Sequence, residues 1–197
     1  IDILNRKALY KECSKFVIRA KELAKEYEKF YYWFELINWE KRLLEEAYES
    51  GIFTINLDDL ILEEQGVVDK LRNLAEYHVL YSRINYVFRS GGFTRNETER
   101  EAVNEIENHH LIKGKNTALS TRATTICYYI KGVCSASNRD YENALTFFLK
   151  AKSVMENKSK IRDDLQQRYI ATLNFIMLCY IDTYEFNSPD ERDRYGQ

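Results

Sequence analysis

Proline is almost missing from this chain, with one in 197 residues, and glycine is scarce at seven. Average usage would place roughly 10 prolines and about 14 glycines in that length. Few residues here break helices or make tight turns, so long and seldom interrupted helices are favoured. Collagen-like, proline-rich and linker-like classes are excluded by the same shortage. An excess of one charge is also missing, since 29 Lys and Arg stand against 31 Asp and Glu. A protein that lives on phosphate backbones carries a basic excess, so no nucleic acid is expected as a partner. No apolar run approaches the roughly 18 residues of a membrane span. The best candidate, Ile170 to Ile181, has the length of a core helix, and the chain reads as a cytoplasmic one.

Cysteine is sparse and carries no motif. Cys13, Cys127, Cys134 and Cys179 have neither the spacing of a zinc site nor that of a redox pair. All four lie in apolar helical patterns and are expected as small buried core residues, in a reducing compartment. The chain opens Ile1-Asp2-Ile3-Leu4 without Met or leader, which reads as a segment of a longer protein.

What is present is aromatic: 15 Tyr, 10 Phe and two Trp, within 45% apolar residues, can fill a real core. Apolar residues recur at spacings of three and four, and strict alternation is almost absent. The pattern predicts about seven helices, near 3–27, 30–48, 58–89, 94–109, 118–137, 141–157 and 161–186. In the first, Leu9, Phe16, Ala20, Leu23 and Tyr27 form the expected core stripe. Gly51 is expected to end the second helix, and Ser90-Gly91-Gly92-Phe93-Thr94 is the clearest turn. Short loops make neighbouring helices antiparallel hairpins.

One segment carries a repeat signature. From Thr125 the chain reads TICYYIKGVCSASNRDYENALTFFLKAKSVMENK. Tyr128 stands at the fourth position, Gly132 at the eighth, Tyr141 in the turn, Ala144 at the twentieth, Phe148 at the twenty-fourth and Ala151 at the twenty-seventh. This pattern resembles the 34-residue tetratricopeptide repeat. Small residues at Gly132 and Ala144 let two antiparallel helices approach closely, with Phe148 and Tyr128 filling the space beside them. Three positions depart from the pattern: Lys131 stands in an apolar place, Ser135 in an aromatic one, and Glu156 replaces the closing proline, so nothing in the pattern itself stops the sixth helix or enforces a strict 34-residue period. Degenerate copies fall at about 77–112 and 170–186, with Phe93 and Phe186 in the place of Tyr141. A helical hairpin occupies 1–56, and 187–197, which holds Pro189, is a polar tail.

The resemblance implies an all-α fold, a right-handed superhelical array of antiparallel hairpins over 1–186. It also implies a concave groove lined by the first helix of each repeat. The corresponding residues are Ile126, Tyr129, Val133 and Ser137 in the good repeat, and Asn174 and Leu178 in the next. Tyr129 and Val133 replace the Lys and Asn that clamp a C-terminal carboxylate in similar proteins. The groove is either open to a protein or peptide partner or filled by a neighbouring helix of the same chain.

Other candidates have simpler readings. His109-His110 point about 100° apart on a helix and are expected to meet the helix end, with no metal ligation. The acidic run Glu97, Glu99, Glu101, Glu105 and Glu107 reads as a solvated face near a helix N-terminus. Lys150, Lys152, Lys158, Lys160 and Arg162 read as a solvated basic patch. Of Tyr31-Tyr32-Trp33-Phe34, two or three are expected in packing and one as an exposed anchor. No phosphate loop, nucleophile elbow or HExxH helix is present, so neither an enzyme nor a cofactor is expected. The expectation is a protein–protein interaction scaffold, similar to long bacterial tetratricopeptide-containing proteins. The alternative is a peptide-sensing domain of a larger bacterial regulator or kinase.

Overall fold

A single left-handed residue decides how the chain begins. Ala8 has φ 54°, so the expected first helix is broken into α1 (Asp2–Arg6) and α2 (Tyr10–Glu26). Two further boundaries need no left-handed residue. His109 is extended, with ψ 139°, and separates α5 (Glu97–Asn108) from α6 (His110–Lys113). Leu165 falls outside helical geometry and separates α9 (Ser159–Asp164) from α10 (Gln166–Asn187). The remaining helices are α3 (Phe30–Glu46), α4 (Leu57–Arg89), α7 (Thr121–Ser137) and α8 (Tyr141–Glu156). The computed structural model describes residues 1–46, 56–89, 94 and 96–187. Among these it is all-helical, with ten helices in place of the seven that spacing predicts. Gly51, the turn 90–93 with Phe93, the side chain of Phe186, and Pro189 in the polar tail lie outside the described residues.

The chain divides into two compact units, Ile1–Arg72 and Asn73–Gln197. In the first, α2 packs on α3 around Cys13, Val17, Ala24, Leu36 and Leu43. The expected stripe of α2 is displaced: Leu9, Phe16 and Leu23 are exposed, and the buried positions are Cys13, Val17 and Ala24. Smaller side chains let the two helices come close. Polar groups complete this unit: Glu63 accepts from Trp33 Nε1 at 2.7 Å and pairs with Lys25 at 2.6 Å and Lys21 at 3.1 Å. Lys21 pairs also with Glu40, which is buried.

In the second unit, α7 and α8 form an antiparallel hairpin across residues 138–140. Ser120 caps α7 by accepting from the Ala123 amide at 3.0 Å, and Asp140 caps α8 by accepting from Asn143 at 3.2 Å. Arg139, at φ 60°, turns the chain between them. The core here joins Tyr77, Leu80 and Ile84 of α4 to Val103, Ile106, Leu111 and Ile112, to most of α7, and to Ala144, Phe148, Ile176 and Cys179. Despite lacking the closing proline, α8 stops at Glu156 and does not run on. Asn157 and Lys158 leave the helix, and Glu156 is held by Lys152 at 2.9 Å and by the Tyr169 hydroxyl at 2.8 Å.

Candidate functional site

Four of the six residues with the repeat signature, Gly132, Ala144, Phe148 and Ala151, meet in the core of the hairpin. Ala144, Phe148 and Ala151 are fully buried. A Cβ built on Gly132 would stand 2.7 Å from Phe148 Cε1, so the Phe148 ring occupies the space a side chain would need. Tyr128 and Tyr141 are half-buried at the margins of the same hairpin.

The expected groove residues separate into two groups. Ile126, Tyr129, Val133 and Ser137 are all buried, so the first-helix face of the good repeat is filled by the chain itself. Tyr129 is the centre of an aromatic cluster, with ring centroids 5.2 Å from Tyr81, 5.8 Å from Phe148 and 5.7 Å from Phe175. Phe148 stacks on Phe175 at 4.9 Å, and Phe88 closes the cluster edge-on against Phe175 at 5.2 Å. The Tyr129 hydroxyl reaches Asn85 Oδ1 at 3.4 Å. Beside the cluster, the Arg168 guanidinium lies 5.2 Å from the Tyr81 ring centroid. Burial lowers the Arg168 pKa from its ordinary value.

Asn174 and Leu178 belong to the second group, and they are exposed. Ile170, Asn174, Met177, Leu178 and Ile181 follow a helical spacing of three and four, so they share one face of α10. The four apolar members are 46% to 56% exposed. The opposite edge of α10 is in the core through Thr172, Ile176 and Cys179. This helix therefore has an apolar stripe on each side, one packed within the unit and one open.

Other candidates have structural roles. His109 caps α6, its Nδ1 accepting from the Leu111 amide at 3.3 Å. Within the acidic run, Glu105 pairs with Arg83 at 2.8 Å and Glu97 with Arg100 at 3.6 Å. Of the four consecutive aromatics, Tyr31 and Tyr32 are exposed, while Trp33 and Phe34 are half-buried. The basic patch is divided: Lys152 pairs with Glu156 and Arg162 with Asp163, and Lys150 lies over the Phe147 ring. All four cysteines are free and buried. Among the described residues no group of three His, Cys, Asp or Glu could hold a metal ion, and no helix is long and apolar enough to cross a membrane.

Sequence reasoning missed a polar clamp on α4. Asn73 donates to the Thr117 carbonyl at 3.0 Å and accepts from the Leu119 amide at 2.9 Å. One turn later the buried Tyr77 hydroxyl lies 2.9 Å from the Leu111 carbonyl and 2.8 Å from the Thr117 hydroxyl, itself 2.6 Å from that carbonyl. The clamp binds the segment that leads into α7 to the middle of α4. An Asn within an apolar helical stripe, four residues before a Tyr of that stripe, was the available signal.

No protein-family model, curated protein or solved structure matches the chain.

Proposed function

We propose that this chain is a protein–protein interaction scaffold of stacked helical hairpins, with no catalytic role. The observation that carries the reading is the open stripe of α10. Its four apolar side chains are half exposed on one helix face, a geometry suited to receiving a partner's amphipathic helix or a further hairpin. The relation of Gly132 to Phe148, together with buried Ala144 and Ala151, supports reading the α7–α8 hairpin as tetratricopeptide-like. In such arrays each hairpin leaves an apolar face for the next, in a right-handed superhelical progression, and the last face is available to other chains. The filling of the first-helix face by Tyr81, Phe148 and Phe175 favours contact through α10 over capture of a peptide against Tyr129.

The test is a double charge substitution, Met177→Glu with Leu178→Glu. Both residues are about half exposed, so the fold tolerates the change and the melting temperature stays close to that of the parent. The reading expects proteins captured by the parent chain to be lost from the variant. An unchanged capture profile with an intact fold overturns it.

A further inference from the structure

Two ammonium groups share one aromatic ring on the α7–α8 hairpin. Lys131 Nζ lies 5.9 Å and Lys150 Nζ 5.5 Å from the centroid of Phe147. Both lysines border a half-open cavity of about 400 Å3, whose wall is completed by Lys115, Asn116, Thr124 and Tyr128. Among the described residues no carboxylate lines this cavity and none of its three lysines forms an ion pair. Three lysines bordering one concavity make it locally positive, so an anion that enters is attracted by all three. A second cavity of about 400 Å3 shares Lys131 and Phe147 but includes Glu107, so the first is the more favourable place for an anion.

The wall opposite the hairpin is fixed before any ligand arrives. Residues 114–119 are held by the α4 clamp, Asn73 to Thr117 and Leu119, and Tyr77 to Thr117 and Leu111. Gly114 permits the tight path, since a Cβ there would stand 2.6 Å from the His110 carbonyl oxygen and from Thr117 Cγ2. Asn116 adopts the left-handed conformation at φ 55°. A wall fixed in advance spares a ligand the entropy of ordering it.

The donor set selects the anion. It has three lysines and no arginine, hence mobile point charges, whose attraction grows with the charge of the anion and so favours a dianionic phosphate over a singly charged carboxylate. Point charges suit the several oxygens of a phosphate. Phe147 and Tyr128 supply aromatic surface beside them. We propose that this cavity binds a small phosphorylated molecule, its phosphate among Lys115, Lys131 and Lys150 and its apolar or aromatic portion against Phe147. The site is separate from the α10 stripe and stands independently of the interaction reading.

The test is an NMR titration of the chain with phenyl phosphate and with inorganic phosphate at low ionic strength. Lys131→Gln and Lys150→Gln are compared with Lys152→Gln, a control on the same helix whose partner is Glu156. Saturable shifts of the Asn116, Thr117 and Tyr128 amides are expected. Each cavity substitution should weaken phenyl phosphate about tenfold, the control leaving it unchanged. Tighter binding of phenyl phosphate than of inorganic phosphate identifies an organic phosphate as the ligand class. Absence of saturation, equal binding of the two probes, or equal weakening by Lys152→Gln overturns the proposal.

Discussion

The ring of Phe148 stands where a side chain on residue 132 would have to be. A Cβ at Gly132 would lie 2.7 to 2.9 Å from three atoms of that ring, closer than real Cβ contacts allow. The glycine thus permits α7 and α8 to close on each other, and Phe148 carries that closeness into the aromatic cluster with Tyr129 and Phe175.

Gly132→Ala tests this directly. Helix propensity alone would stabilise the substitution by about 1 kcal/mol, because glycine is a poor helix former. The Phe148 ring must move, and overpacking of this kind costs about 1–3 kcal/mol. We expect a net loss in urea denaturation, and a larger one for Gly132→Leu. Replacing Phe148 by Leu in the Gly132→Ala background should recover part of the loss, as coupled neighbours do. A Gly132→Ala chain more stable than the parent would show that the ring yields freely.

Acid sensitivity of the first unit should trace to Glu63. Burial pushes its pKa up, but hydrogen bonds from Lys25, Trp33 and Lys21 outweigh this and hold it below the ordinary carboxylate value. A folded pKa below the unfolded one gives stability that is present above the unfolded value, about 4.3 for Glu. That stability is lost as pH falls through the folded value. Glu63→Gln should therefore cost about 1–2 kcal/mol at neutral pH. It should also flatten the decline of stability below about pH 4.3. An identical decline in parent and variant, followed by urea midpoints, would contradict the assignment.

Thiol chemistry should be silent in the folded chain. Burial pushes the Cys134 thiol up to about 12 and the Cys179 thiol up to about 11, and it raises those of Cys13 and Cys127 as well. The reactive species is the thiolate, so alkylation at pH 8 is expected to be negligible in native conditions and complete in denaturant. Mass spectrometry after brief iodoacetamide treatment reads this out. Rapid native labelling of Cys134 would show that α7 opens readily.

What the sequence revealed depended on how local the cause was. The α7–α8 hairpin was legible because small and aromatic residues at fixed offsets describe one packing contact between adjacent helices. Its turn was legible from Asn138-Arg139-Asp140, where a left-handed residue precedes a capping aspartate. The break at Ala8 was not, since it is marked by neither glycine nor proline, whereas the end of α5 at His109 was legible and only the short α6 beyond it was not. The α2 stripe was misread because size was taken for burial: Phe16 and Leu23 are larger than Cys13 and Val17, yet the smaller residues face α3. The first-helix face of the good repeat could be named from sequence, but whether it was open depended on Tyr81 and Phe175, 48 residues before and 46 after Tyr129 in the chain. The α4 clamp left only a local hint, the Asn in an apolar stripe, for the same reason: it links Asn73 to Thr117 across 44 residues.

The α10 stripe is the central claim, and site-specific photocrosslinking tests it most directly. A benzophenone amino acid placed at Leu178, on the open face, is compared in cells with one at Thr146, exposed on α8. The account predicts a discrete higher-mass adduct from position 178 and none from 146, with the mass reporting whether the partner is another protein or a second copy of this chain. No adduct at 178, or the same adducts from both positions, would contradict it.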